Sequence, residues 1–241
     1  MNKLYVVGVG PGGRDNMTLR ALRALEESEV IVGYTGYADL VRPLFPDKVY
    51  HTTPMGRETE RVRTALALAA EGRTAALVCS GDAGVYGMSG LAEELRPSGV
   101  TVETVPGVSA MLSGAALLGA PLMHDFAVIS LSDLLTPWET IETRLRRAAQ
   151  ADFVLCLYNP GSRGRPDHLK RACDAVLEYA APSTVCGIAR NIGRAGERIE
   201  VLTLEELRDA RADMSCTVFI GNSQTKVIGG KMVTPRGYVY E

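Results

Sequence analysis

The chain has 241 residues, enough for one large domain or two smaller ones, and 46% of them are hydrophobic, ample for a packed core. A formal charge of −2 leaves no electrostatic footprint for nucleic acid. The five cysteines (Cys79, Cys156, Cys173, Cys186, Cys216) contain no C-x-x-C pair and the three histidines (His51, His124, His168) stand apart. That pattern argues against a disulfide framework or a metal centre and for free thiols in a reducing cytoplasm.

The first residues run straight into an apolar strand, with no signal peptide before it. Strands are predicted at about 3–9, 28–33, 74–79 and 100–105, with a weak one near 48–52. Helices fall between them: 57–71 places Val62, Ala65, Leu66 and Ala69 on one face and stops at Gly72, and 87–96 pairs Leu91 with Leu95. Alternating strands and helices imply a mostly parallel sheet covered on both faces. Thr104 to Met123 carries no charge, but Pro106 and Pro121 limit a helix there to 107–120. At about 1.5 Å per residue that is roughly 21 Å, short of a bilayer core of about 30 Å. It reads as a buried helix and not a membrane span.

Ala120-Pro121-Leu122-Met123-His124-Asp125 is taken as the linker, giving domains 1–120 and 121–241. Beyond it, strands are predicted at 126–131, 153–158, 184–189, 198–202, 217–221 and about 226–233, the last closing the sheet. Thr136-Pro137-Trp138-Glu139 reads as a helix start with Thr136 as N-cap, and Pro166 opens another helix. Thr203-Leu204-Glu205-Glu206 is a second capping box. Short connections between the last strands make this second sheet mixed.

Five loops follow predicted strands, where ligands bind in α/β folds. Gly8-Val9-Gly10-Pro11-Gly12-Gly13 satisfies G-x-G-x-x-G. Yet Pro11 removes an N–H where a pyrophosphate needs a donor, and no acid ends the second strand to hold a nicotinamide ribose. Ser80-Gly81-Asp82-Ala83-Gly84-Val85-Tyr86-Gly87 offers the Asp82 carboxylate either to a ribose hydroxyl or cationic ligand or, in a tight turn, as the cap of the next helix. Pro106-Gly107-Val108-Ser109-Ala110 exposes N–H groups at a helix start. Tyr158-Asn159-Pro160-Gly161-Ser162-Arg163-Gly164-Arg165 and Gly187-Ile188-Ala189-Arg190-Asn191-Ile192-Gly193-Arg194 carry four arginines. Arg163, Arg165, Arg190 and Arg194 suit a substrate with several carboxylates, because guanidinium binds carboxylate bidentately; solvated surface arginine is the plainer alternative.

Taken in order, these loops resemble the tetrapyrrole methylase superfamily over essentially the whole chain. Gly8-Val9-Gly10-Pro11-Gly12 is similar to its opening G-x-G-P-G loop, Ser80-Gly81-Asp82 to its G-D loop, Val105-Pro106-Gly107-Val108-Ser109-Ala110 to its P-G-[IV]-[ST]-[AS] segment and Pro121-Leu122-Met123-His124 to its P-L-x-H linker. Gly81–Met88, Ile129–Trp138 and Phe219–Ser223 resemble its precorrin-3B C-17 methyltransferase branch. The resemblance implies a two-domain α/β fold, with a mostly parallel N-terminal sheet, a mixed C-terminal sheet and the active site in the cleft between. It also implies a homodimer, S-adenosylmethionine as methyl donor and a tetrapyrrole substrate. Carried over residue by residue, the donor contacts are Gly10, Pro11, Ser80, Gly81, Asp82, Val85, Ser109, Ala110, Tyr158, Asn159, Asn191 and Thr217.

In that branch methylation at ring carbon 17 accompanies ring contraction, and contraction requires a hydroxyl proton to be removed. His124, Asp133, Tyr34 and Tyr86 are the candidate acid–base groups, His124 for its ordinary pKa. The siroheme-forming branch has Tyr-Asp where this chain has Tyr34-Thr35, so that branch's acid–base residue does not carry over. A methylase acting at another ring carbon, a non-tetrapyrrole methylase of the superfamily, a nicotinamide enzyme and a nucleotide-binding module are the rival readings.

Overall fold

The apolar, β-branched runs of the first half form strands β1 (Lys3–Gly8), β2 (Val30–Tyr34), β3 (Val49–Thr53), β4 (Thr74–Cys79) and β5 (Thr101–Val105). They pair in the order β3-β2-β4-β1-β5, every pair parallel. Successive side chains of a strand point to opposite faces, and both faces are covered. Helices α1 (Leu19–Glu27) and α2 (Thr35–Val41) pack on Tyr5, Val7, Ile31 and Val78. Helices α3 (Glu58–Ala70) and α4 (Ser89–Glu94) pack on Leu4, Val6, Val32 and Leu77. Neighbouring strands β1 and β4 therefore send the chain to opposite faces, which opens a crevice at their carboxyl ends.

This computed structural model describes residues 2–162 and 164–239, so the expectation for Arg163 lies outside the described residues. The chain divides into two units, Met1–Ala110 and Met111–Glu241. The division falls ten residues before the expected boundary at 120/121. The reason is helix α5 (Ala110–Leu118), where a Cβ on Gly114 would stand 3.1 Å from the Phe219 ring and 3.2 Å from Ala189, and where Leu118 lies against Gly187. The helix belongs to the second core and not to the first.

In the second unit, β6 (Gly119–Ala120) follows α5, then β7 (Phe126–Ser130), α6 (Trp138–Gln150), β8 (Val154–Tyr158) and α7 (His168–Val176). Next come β9 (Val185–Arg190), β10 (Arg198–Thr203), α8 (Leu204–Asp209), β11 (Cys216–Ile220), β12 (Lys226–Ile228) and β13 (Lys231–Val233). The main sheet runs β10-β9-β11-β8-β7 and is mixed: β7 and β8 are parallel and the other pairs antiparallel. Helices α6, α7 and α8 cover one face through Trp138, Leu145, Leu169, Ala172, Leu204 and Leu207.

Two local expectations need correction. The segment 226–233 is not one strand closing the main sheet. Gly229 and Gly230 both take positive φ (56° and 76°), the backbone of a tight two-residue hairpin. The chain folds back there, and β12-β13 join β6 in a separate small sheet. At α6 the N-cap is Pro137, extended at φ −54°, ψ 142°, with no side-chain cap, so Thr136 stands one residue too early to serve.

The capping box at α8 forms in full. Thr203 Oγ1 accepts from Glu206 N–H at 3.3 Å, and Glu206 Oε2 accepts from Thr203 N–H at 2.8 Å. The Thr203 backbone and hydroxyl hold the Glu206 carboxyl below its ordinary value. A carboxyl with a depressed folded pKa stabilises above its unfolded pKa and loses that contribution as pH falls through the folded one. Wild-type protein should thus be more stable than Glu206→Gln at pH 7 in urea titrations, and the gap should narrow as pH falls below the ordinary carboxylate range; a gap that stays constant with pH would deny the cap its charge-dependent part. Thr203→Ala should cost about 1 kcal/mol.

Candidate functional site

At the carboxyl ends of β1, β4 and β5, backbone packs directly on backbone. Val9 N–H reaches Cys79 O at 2.9 Å, Gly10 N–H reaches Gly81 O at 3.0 Å, and Gly81 N–H returns to Gly10 O at 2.7 Å. The first and second glycine loops are thereby zipped together beyond the strands. A Cβ on Gly8 would stand 2.6 Å from Gly107 N and 2.8 Å from Gly81 O, and one on Gly107 would stand 2.2 Å from Gly81 O. Only glycine permits this approach.

Asp82 fixes the same junction. Its Oδ1 accepts from Gly84 and Val85 N–H at 2.8 and 3.1 Å, and its Oδ2 accepts from Gly107 N–H at 2.9 Å. The carboxylate caps its own turn and also clamps the loop after β4 to the loop after β5. The expected tight turn is present, but Asp82 does not cap α4, whose N-cap is Met88; its carboxylate instead reaches across to the loop after β5, a bond local sequence cannot reveal. Thr18 Oγ1 adds a bond to Pro106 O at 3.1 Å, and Asn16 Nδ2 one to Gly12 O at 2.7 Å. Gly10, Pro11, Gly81 and Ser109 are buried, while Ser80, Asp82, Val85 and Ala110 are half-buried around them.

This geometry speaks against a phosphate cradle. Such a cradle needs free backbone N–H groups. Gly10 N–H is engaged by Gly81, and Pro11 has none. What the loops can offer is close backbone approach for a hydrogen-bonding ligand without a phosphate.

Buried Arg61, unremarked in the sequence, braces the next strand end. It is 2% exposed and donates to Thr53 Oγ1 and Pro54 O, each at 2.9 Å. Tyr34, at the end of β2, meets Tyr37 edge-on at 5.1 Å. Tyr86 is exposed at a φ of 54°. No cysteine is poised for chemistry: all are buried, and burial pushes the Cys79 thiol up to about 11 and the Cys173 thiol up to about 12. No group of three or more His, Cys, Asp or Glu able to hold a metal occurs among the described residues.

In the second unit β7, β8 and β9 point the same way, since β9 and β8 both run antiparallel to β11. Their carboxyl ends, together with the start of β11, bring Ser130, Tyr158, Asn159, Arg190, Asn191 and Thr217 to one sheet edge. Asn159 and Asn191 both take positive φ (53° and 49°) directly after their strands, a conformation asparagine tolerates better than most residues. Asn159 Nδ2 donates to Ser130 Oγ at 2.8 Å, Asn191 N–H to Ser215 O at 3.1 Å, and Tyr158 Oη accepts from Met111 N–H at 2.9 Å. Thr217 is buried on β11.

The arginines differ. Arg190 is engaged on all sides, its Nε 2.9 Å from Glu200, its Nη1 3.0 Å from Cys216 Sγ and its Nη2 on the Arg211 carbonyl. Such a fork braces the sheet edge. Arg165 donates from Nε to Ser162 Oγ at 3.2 Å, while its Nη1 is buried with no acceptor. Arg194 is half-buried in the turn after β9, its N–H on Asn191 O at 2.9 Å.

Of the acid–base candidates here, His124 precedes β7 and so lies at the opposite end of that strand from the loops. Its Nδ1 accepts from its neighbour Asp125. Asp133 lies at the loop end, and His168 Nε2 stands 3.1 Å from its Oδ2. Sequence reading set His168 aside as isolated. Its partner is 35 positions away, and parallel pairing of β7 and β8 brings them together.

Comparison with known proteins gives a consistent picture. Residues 3–208 match the tetrapyrrole (corrin/porphyrin) methylase family. Over 98% of the chain and 99% of the relative, the sequence is 47% identical to a probable cobalt-factor III C(17)-methyltransferase of Salmonella typhimurium. It is 41% identical to a precorrin-3B C(17)-methyltransferase of a Sinorhizobium species, over 93% of this chain and 91% of that one. The crystal structure of the methyltransferase CobJ superposes with a TM-score of 0.89 at 39% identity, covering 96% of this chain and 99% of that one. Family match, full-length identity and shared architecture agree that the chain belongs to the tetrapyrrole methylase family.

Proposed function

We propose that this protein is an S-adenosylmethionine-dependent C-methyltransferase of cobalamin biosynthesis. It methylates ring carbon 17 of a precorrin-3B or cobalt-factor III type tetrapyrrole, with contraction of the ring. Near-complete coverage at 47% identity by a relative named for that reaction carries the reading. A rival methylase acting at another ring carbon is disfavoured by the same match.

The strand-end loops of the first unit fit the methyl donor. An adenosyl group carries no phosphate, so a loop whose leading N–H is engaged and whose next residue is proline suits it. S-adenosylmethionine supplies an electrophilic methyl on a sulfonium. Ser80, Val85, Ser109 and Ala110, beside the Gly10–Gly81 junction, are the residues we assign to hold it. Asp82 holds those loops in place through its three backbone bonds. In the second unit, Asn159 and Asn191 fix their turns at the loop end of the sheet, and Tyr158 and Thr217 stand beside them. Orientation of the reacting carbon and exclusion of water are the main work asked of such a site. The reading also takes the protein to be a cytoplasmic homodimer, which sedimentation of the purified chain would check.

Three measurements test this. Calorimetry should show S-adenosylmethionine binding in the micromolar range, about −8 kcal/mol; no heat at millimolar donor would remove the methylase reading. Asp82→Asn should lose roughly 1–3 kcal/mol of stability and weaken donor binding, whereas normal folding and binding would show the clamp to be dispensable. Incubation with methyl-labelled donor and each precursor, with and without cobalt, should place the label at carbon 17 by NMR. Label at another ring carbon would favour the rival methylase.

A further inference from the structure

In the second unit, buried Trp138 and His168 stand together beside Asp133, and His168 Nε2 approaches the Asp133 carboxylate at 3.1 Å. Trp138 and His168 are 6% and 7% exposed. Their rings meet edge-on at 4.9 Å, and Arg171 stacks on the Trp138 ring at 4.1 Å. Buried polar groups are mostly hydrogen-bonded in folded proteins, and here the buried His168 ring, packed on Trp138, directs its Nε2 at the Asp133 carboxylate. Asp133 forms its open side, its side chain about a third exposed at the carboxyl end of β7. Leu134 and Leu135, next on the same loop, are 78% and 99% exposed and suit the apolar face of a conjugated macrocycle.

We propose that Asp133 is the group that takes the hydroxyl proton during ring contraction, and that buried His168 is the positioning residue that holds and tunes it. The inference rests on the functional reading above. In the step, the substrate O–H bond breaks and its proton passes to an Asp133 carboxylate oxygen. The oxygen's electron pair forms the carbonyl of the emerging acetyl group. The adjacent ring carbon–carbon bond shifts to the neighbouring carbon, and that carbon's bond to an electronegative atom takes up the displaced pair. The proton then leaves Asp133 for water. Nothing is oxidised or reduced by an outside reagent.

The surroundings suit a carboxylate kept ready to accept a proton. Partial desolvation raises the Asp133 carboxyl, but the His168 imidazole beside it, with Arg165, lowers it by more. His168 Nε2 stands 3.1 Å from Asp133 Oδ2, and this contact favours the carboxylate form, while the Asp133 side chain stays about a third exposed. His168, the first residue of α7, is itself fixed by the Trp138 ring.

The test uses the full chain, the precursor it turns over and S-adenosylmethionine. Asp133→Asn should bind donor with unchanged Kd and form contracted product at least about 100-fold more slowly. His168→Gln should keep its fold by circular dichroism and move the acid limb of the kcat/KM profile to higher pH, because the group that lowers Asp133 is gone. A contracted-product rate near wild type in Asp133→Asn overturns the proposal alone. So does an unmoved acid limb in a folded His168→Gln, which would leave the pair a purely structural contact. Wild-type protein that releases no S-adenosylhomocysteine with any precursor overturns the functional reading, and the proposal with it.

Discussion

Contact of main chain with main chain at the ends of β1, β4 and β5 is the constraint on which the first unit depends. Gly8 and Gly107 lie so close to each other and to the Gly81 carbonyl that a methyl added to either would overlap backbone atoms. Interiors packed to crystal-like density give little room to relax such an overlap. The Asp82 carboxylate then ties two loops that are 25 positions apart in the chain. The result is a platform of main-chain atoms at the switch point of a parallel sheet, the place where α/β folds take ligands.

The second unit reaches a similar end by different means. Its sheet is mixed, yet its three parallel-pointing strands still gather their loops at one edge. Asparagines at positive φ turn the chain there, and Arg190 braces the edge through Glu200, Cys216 and the Arg211 carbonyl. The neighbouring β7 and β8 loops carry the cluster around Asp133 and His168. At their strand ends one unit thus presents mainly backbone and the other mainly side chains.

Much of this was legible in the sequence because it is local. Alternating apolar runs and helical faces give the parallel first sheet, and Thr203 to Glu206 marks the start of α8. The glycine loops stand out by composition. What escaped is what the chain brings together from afar. Gly107 N–H is invisible as a partner of Asp82, His168 looks isolated until β7 and β8 pair, and Arg190 reads as a free guanidinium until its three partners fold around it. The segment after Lys226 was taken as one strand although Gly229-Gly230 carries the signature of a hairpin. The boundary at Pro121 followed the proline, whereas small Gly114 and Leu118 had already committed α5 to the second core.

A crystal of the full chain soaked with S-adenosylhomocysteine tests the central claim most directly. The account predicts that the nucleoside lies against the main chain of Gly10–Gly12 and Ser80–Val85, beside Ser109 and Ala110, with Asp82 still bonded to Gly84, Val85 and Gly107. Clear density for the molecule on a surface away from those loops would contradict it.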